Sequence, residues 1–185
     1  MMKNRMKVAM LAVLLGLLGL ALPLGGGQSP AELAELVDRL VEQLDIAIQH
    51  VVLGRFAADL RDLKTQAHQA LNVIVGRGGP GYDPQFGDPG DGVGLVVYAR
   101  RLDREVADFD QSYRVIADNV LFFIDSSIGH VRISIRTGKV GEARVELRRA
   151  LAFLLAARGC PEDLPSEGGA RTLRRLLGQG PIPGN

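Results

Sequence analysis

The chain has 185 residues, 46% hydrophobic and 23% charged, which excludes a disordered polar chain and leaves room for one ordinary domain with extensions. Tryptophan is absent and aromatics are 5%, a balance that suits packed helices better than an aromatic-rich β-sandwich. Of 22 basic residues, Lys3, Arg5 and Lys7 sit at the start; the other 19 face 21 acidic residues, a formal −2 that gives no global attraction to nucleic acid.

Those three cations precede an apolar run of 15 residues, Val8 to Leu22, followed by the small, turn-forming stretch Pro23 to Ser29. This is the pattern of an export signal, so residues 1–28 are expected to be removed and the protein to reach the periplasm, envelope or exterior. An uncleaved anchor is the alternative, but the run is shorter than the ~20 residues a full span needs. No cysteine follows it to carry a lipid, and no later segment is long and apolar enough to span a bilayer.

Ser29-Pro30 starts a helix, with a capping hydroxyl before a proline. Leu33, Leu36, Leu40, Leu44, Ala47 and Val51 continue it as one apolar stripe. Asp59 caps a second helix, whose stripe of Leu60, Leu63, Ala67, Leu71 and Ile74 ends at Gly76. After a loop rich in Gly, Pro and Asp, the step of four and three resumes from Leu95 to Phe123 and drifts on to Ile135. One helix over 95–136 would be roughly 60 Å long, so a break is expected at Asp108 to Ser112, where Asp110 and Ser112 are capping types. Thr137-Gly138-Lys139 stops the chain and Val140 to Leu154 restarts it; Gly159-Cys160-Pro161 ends that helix, and Thr172 to Leu177 forms a short one. "HVRISIRTG" alternates briefly from His130, but a lone strand leaves its backbone groups unpaired. The expectation is an all-α, up-down helical bundle of four main helices over 29–158, one open to a break, with a loop-rich C-terminal extension over 159–185.

The loop between Gly76 and Gly94 is longer than a compact domain ordinarily uses. Asp83, Asp88 and Asp91 offer hard oxygens to Ca²⁺, although the EF-hand spacing is absent. Asp91 is also a candidate N-cap for a helix near Val93, and Tyr82 and Phe86 are candidate ligand or partner contacts. A plain connector is the competing reading.

"AHQALNVIVGRGGPGYD" followed by "GDPGDGVGL" resembles a group of uncharacterised exported bacterial helical proteins, in which an NIIxG helix end leads into a Tyr-Gly-Asp loop closing on P-G-D-G-x-G-L. The resemblance covers His68 to about Leu95, with an echo in "SEGGARTL". It implies an exported helical domain and no particular activity. Members carry a longer, more acidic loop than the "YDPQFGDPGDG" here.

His50, His68 and His130 fall on three different helices, and bundles do build metal and haem sites from facing helices. A transition metal or haem held by all three is therefore one expectation. Half-buried histidines bonded to neighbours are the other. No Gly-x-Ser-x-Gly, phosphate loop or His-Glu-x-x-His is present, so no enzyme activity is expected. Cys160, the one cysteine, cannot form an internal disulfide but is available for a disulfide-linked dimer. Arginine clusters at 100–104, 144–149 and 171–175 suggest solvated helix faces or a surface for an anionic envelope partner. The functional expectation is a binding or structural module.

Overall fold

A computed structural model describes residues 29–179; the export signal read at residues 1–28 lies outside the described residues. The described chain is all-α, with six α-helices and no strand. Helix α1 spans Pro30–Phe56, α2 Leu60–Val75, α3 Leu95–Glu105, α4 Gln111–Arg136, α5 Val140–Arg158 and α6 Ala170–Gly178, with one 3-10 turn at Pro84–Phe86.

Local chemistry sets most of these ends. The Ser29 hydroxyl accepts from the Glu32 amide at 3.3 Å, while the Glu32 carboxylate accepts from the Ser29 amide at 2.8 Å. This reciprocal box satisfies donors that the first turn leaves without intrahelical partners. Ser29→Ala is expected to lower stability by about 1 kcal/mol, read as a shift in urea midpoint at unchanged slope. The Asp59 carboxylate accepts from the Asp62 amide at 2.9 Å and opens α2. The break expected within 95–136 is present, with the Asp110 carboxylate accepting from the Ser112 amide at 2.8 Å to start α4. His130 to Arg136, the one alternating stretch, is helical, so its amides find carbonyls without a partner strand.

Leu33, Leu40, Leu44, Leu63, Ile74, Leu95, Ile116, Ile124, Leu147 and Leu154 are buried in one core. Residues 159–185, set apart above as a loop-rich extension, include α6, whose Ala170, Leu173 and Leu176 join that core. The Thr172 hydroxyl donates to the Cys160 carbonyl and ties the start of α6 to the end of α5. A helix of nine residues shows too few turns for its stripe to stand out before its packing is known.

The two halves of the described chain repeat each other. Phe56 and Arg136 end α1 and α4, and Leu60 and Val140 begin α2 and α5; each pair is 80 residues apart. At that offset every buried residue of α4 has a buried counterpart on α1, among them Leu33/Tyr113, Leu44/Ile124, Val51/Val131 and Gly54/Ser134. "DIAIQHV" at Asp45 and "DSSIGHV" at Asp125 share D-x-x-I-x-H-V at the same offset. Packing is reciprocal: α1 lies on α5 and α4 on α2, while α6 lies on α1 and α3 on α4.

The links to the third helix of each half differ. Gly76 to Gly94 and Gly159 to Gly169 both close where two glycines meet backbone to backbone. A Cβ on Gly76 would come 2.8 Å from the Gly94 nitrogen, and one on Gly159 would come 2.6 Å from the Gly169 nitrogen. The second link does this with eight fewer residues. In the first half Gln43 and Val73 lie beneath the long loop. Phe123 and Phe153 take the equivalent positions in the second, their ring centroids 6.3 Å apart, so aromatic side chains stand where the shorter link does not reach.

Candidate functional site

The long loop is organised by one buried amide. Asn72, on the last turn of α2, is fully buried. Its Nδ2 donates to the carbonyls of Asp83 at 2.7 Å and Gly87 at 2.6 Å, and its Oδ1 accepts from the Asp83 amide at 2.9 Å. These bonds hold both ends of the Pro84–Phe86 turn, which the Asp83 carboxylate caps by accepting from the Gln85 amide at 3.0 Å. The turn delivers Phe86 flat onto His68, with ring centroids 3.9 Å apart and planes within 2°.

Asp83, Asp88 and Asp91, the candidate Ca²⁺ ligands, bond to different partners and are not gathered into one group of carboxylates. Asp83 caps the turn. Asp88 accepts from Arg77 Nε at 2.8 Å and from the Tyr82 hydroxyl at 3.4 Å. Asp91 accepts from the Val93 amide and the Tyr98 hydroxyl, and its own amide donates to Gln43 Oε1. Each carboxylate is bonded at a different place in the loop. Asp91 is also not a helix cap: α3 begins at Leu95, with Gly94 before it. Tyr82 packs inward against the core and bonds Asp88, which leaves Phe86 as the loop residue at the groove.

The histidines do not meet either. His50 Nδ1 donates to Gln66 Oε1 at 2.8 Å, and His130 Nδ1 donates to Glu146 at 2.7 Å. Both pairs join consecutive helices at equivalent places in the two halves, since 50 and 66 become 130 and 146 at the offset of 80. His68 belongs to neither pair. Among the described residues no three His, Cys, Asp or Glu side chains assemble into a group that could hold a metal ion. Symmetry-related positions on opposite hairpins thus keep His50 and His130 each with its own partner, and the three histidines proposed as joint ligands are not brought together.

A groove opens beside His68. It is an open hollow of about 990 Å³ lined by Leu60, Arg61, Lys64, Thr65, His68, Gln69, Gln85, Phe86 and Ile135. Lysine, arginine and imidazole share it with apolar walls, and no carboxylate lines it. A smaller hollow of about 480 Å³ between α1 and α3 is lined by Glu32, Glu35, Arg39 and Arg101. Its charges are already engaged: Arg39 with Glu35, Arg101 with Glu105, and Glu32 with Ser29. Many of the remaining arginines tie helices together, as Arg158 and Arg171 do at Asp45, Arg174 at Asp38 and Arg144 at the Ala57 carbonyl. Cys160 is exposed with a free thiol.

Burial holds the His68 imidazole below its ordinary pKa, against a weaker pull upward from Asp83. The unfolded chain therefore binds a proton at His68 more readily than the folded one. This stabilising contribution is complete above about pH 6.5 and is lost as pH falls through the lowered folded value. His68→Gln is expected to reduce the drop in melting temperature between pH 7.5 and pH 5.5, measured by thermal denaturation against the parent chain. An unchanged drop would show that His68 is not protonated on unfolding in that window.

Sequence reasoning found Phe86 and His68 but not their contact, and it missed Asn72 and Gln43. The available signal was the repeated D-x-x-I-x-H-V, from which the surplus of the first link over the second follows. Compared with protein-family models, curated proteins and solved structures, the chain matches none.

Proposed function

We propose that the chain is an exported, soluble or envelope-associated binding protein: an up-down bundle whose four main helices are α1, α2, α4 and α5, with its ligand site in the groove between α2 and the long loop. The observation that carries this reading is the difference between the two links. Eleven residues, Gly159 to Gly169, are enough to close one helix pair onto its third helix. The first half uses 19, and the surplus includes the turn that places Phe86 on His68. Loops beyond what a connection needs are where binding residues concentrate.

Export is supported by the cations and apolar run before residue 23 and by the resemblance at His68 to Leu95. Intact mass of the protein recovered outside the cytoplasm is expected to place the new N-terminus between Ala21 and Ser29. Retention in the cytoplasm with Met1 intact removes the export half of the reading. Native mass spectrometry of the same material, with Phe86→Ala beside it, tests the binding half: a bound mass carried by the parent and lost in the variant supports the groove, and a bound mass carried equally by both removes it.

A further inference from the structure

Arg61, Lys64, Thr65 and His68 fall on one stripe of α2, because positions three, four and seven apart face the same way on a helix. All four line the groove; Arg61 and Lys64 bring cationic donors, while the Thr65 hydroxyl donates to the Arg61 carbonyl at 3.1 Å. Among the described residues neither Arg61 nor Lys64 has an ion-pair partner, whereas Arg101, Arg149, Arg158, Arg171 and Arg174 do. The offset of 80 puts Gly141, Arg144, Val145 and Arg148 at the equivalent places, with no counterpart of Phe86, so the constellation belongs to the first half alone.

The imidazole adds a further polar group to the lining. His68 Nδ1 is buried without a hydrogen-bond partner. A buried N–H without an acceptor costs more than a bare lone pair, so the neutral ring keeps its proton on Nε2. Two cations and an imidazole thus share a groove lined by no carboxylate.

Leu60, Phe86 and Ile135 supply apolar wall beside these donors. A small hydrated inorganic anion would leave that wall wet, and a neutral apolar molecule would leave the cations without a counter-charge. The lining stretch of α2, Leu60 to Gln69, is roughly 13 Å long at 1.5 Å per residue, room for a body of two fused rings.

Resting on the reading that this groove is the ligand site, we infer that it takes an organic carboxylate with a flat apolar body, its acid group on Arg61 and Lys64 and its rings along Phe86, Leu60 and Ile135. The test is amide and imidazole NMR of the purified full chain at low salt and pH 7.5, titrated separately with 2-naphthoate, neutral 2-naphthylmethanol and inorganic phosphate. The expected result is saturable shifts at Lys64, His68 and Phe86 with 2-naphthoate, and binding at least roughly tenfold weaker for the alcohol and for phosphate. The double variant Arg61→Ala, Lys64→Ala is expected to weaken 2-naphthoate by roughly tenfold or more with little change in melting temperature, since Arg61 is exposed, Lys64 half-buried and neither makes an ion pair. Equal binding of alcohol and carboxylate at these residues overturns the anion class and leaves the groove standing as a site. Phosphate binding as tightly as 2-naphthoate overturns the apolar body. Shifts absent from Lys64, His68 and Phe86 with all three probes take down the groove together with the class.

Discussion

Gly76→Ala is expected to destabilise the protein by about 4 kcal/mol or more, the range reserved for a backbone that cannot accommodate the new side chain. Two effects add. Gly76 sits at φ +70° and ψ 173°, a region essentially reserved for glycine that costs an L side chain about 1–3 kcal/mol. A Cβ there would also lie 2.2 Å from the Val93 carbonyl oxygen and 2.8 Å from the Gly94 nitrogen, both backbone atoms. Neither can rotate away, so relief requires the loop closure itself to open, exposing the seat of α3. Gly78→Ala separates the two effects. Its φ is +79°, yet nothing lies within 4 Å of the added carbon, so only the conformational part remains, about 1–2 kcal/mol. Urea unfolding of both variants decides the matter. Equal losses would show that the glycine–glycine contact does not carry the closure. Gly159→Ala is expected to behave like Gly76→Ala, because its Cβ would meet the Gly169 nitrogen at 2.6 Å.

The second large effect is expected at Asn72→Ala. The substitution removes one side chain and orphans three partly buried backbone groups, the amide and carbonyl of Asp83 and the carbonyl of Gly87. At about 1–3 kcal/mol for each group that water cannot reach, with partial relaxation, a loss of about 2–4 kcal/mol follows. In a domain of this size that is roughly a 5–15 °C fall in melting temperature. The distinguishing readout is local. The 83–87 turn should exchange its amide hydrogens faster and lose the Phe86–His68 stack, while the α4 and α5 core stays protected. Unchanged exchange at Gln85 and Phe86 would show that the turn stands without Asn72 and that the groove has another support.

Helix content was legible because its causes are local. Apolar residues three and four apart, Ser29-Pro30 and Asp59 at starts, Gly76 and Gly159 at ends, and Asp110 at the break all act within one or two turns of themselves. The site was legible only as a set of residue types. His68 and Phe86 stand 18 positions apart, and their contact depends on Asn72 reaching two carbonyls across a loop. The partners of the three histidines were not legible for a related reason: helical spacing says which residues share a face, but not which face meets which helix.

By itself, then, the chain's order of residues determined an all-helical build, where most helices start and stop, and which loop is larger than a connection requires. Only tertiary packing decided that α6 belongs to the core, that the two halves dock reciprocally, and that His50 and His130 pair with Gln66 and Glu146. The physical reason is range. Capping, periodicity and glycine dihedrals act between neighbours along the chain, whereas burial and side-chain pairing depend on surfaces brought together from 16 to more than 100 residues apart.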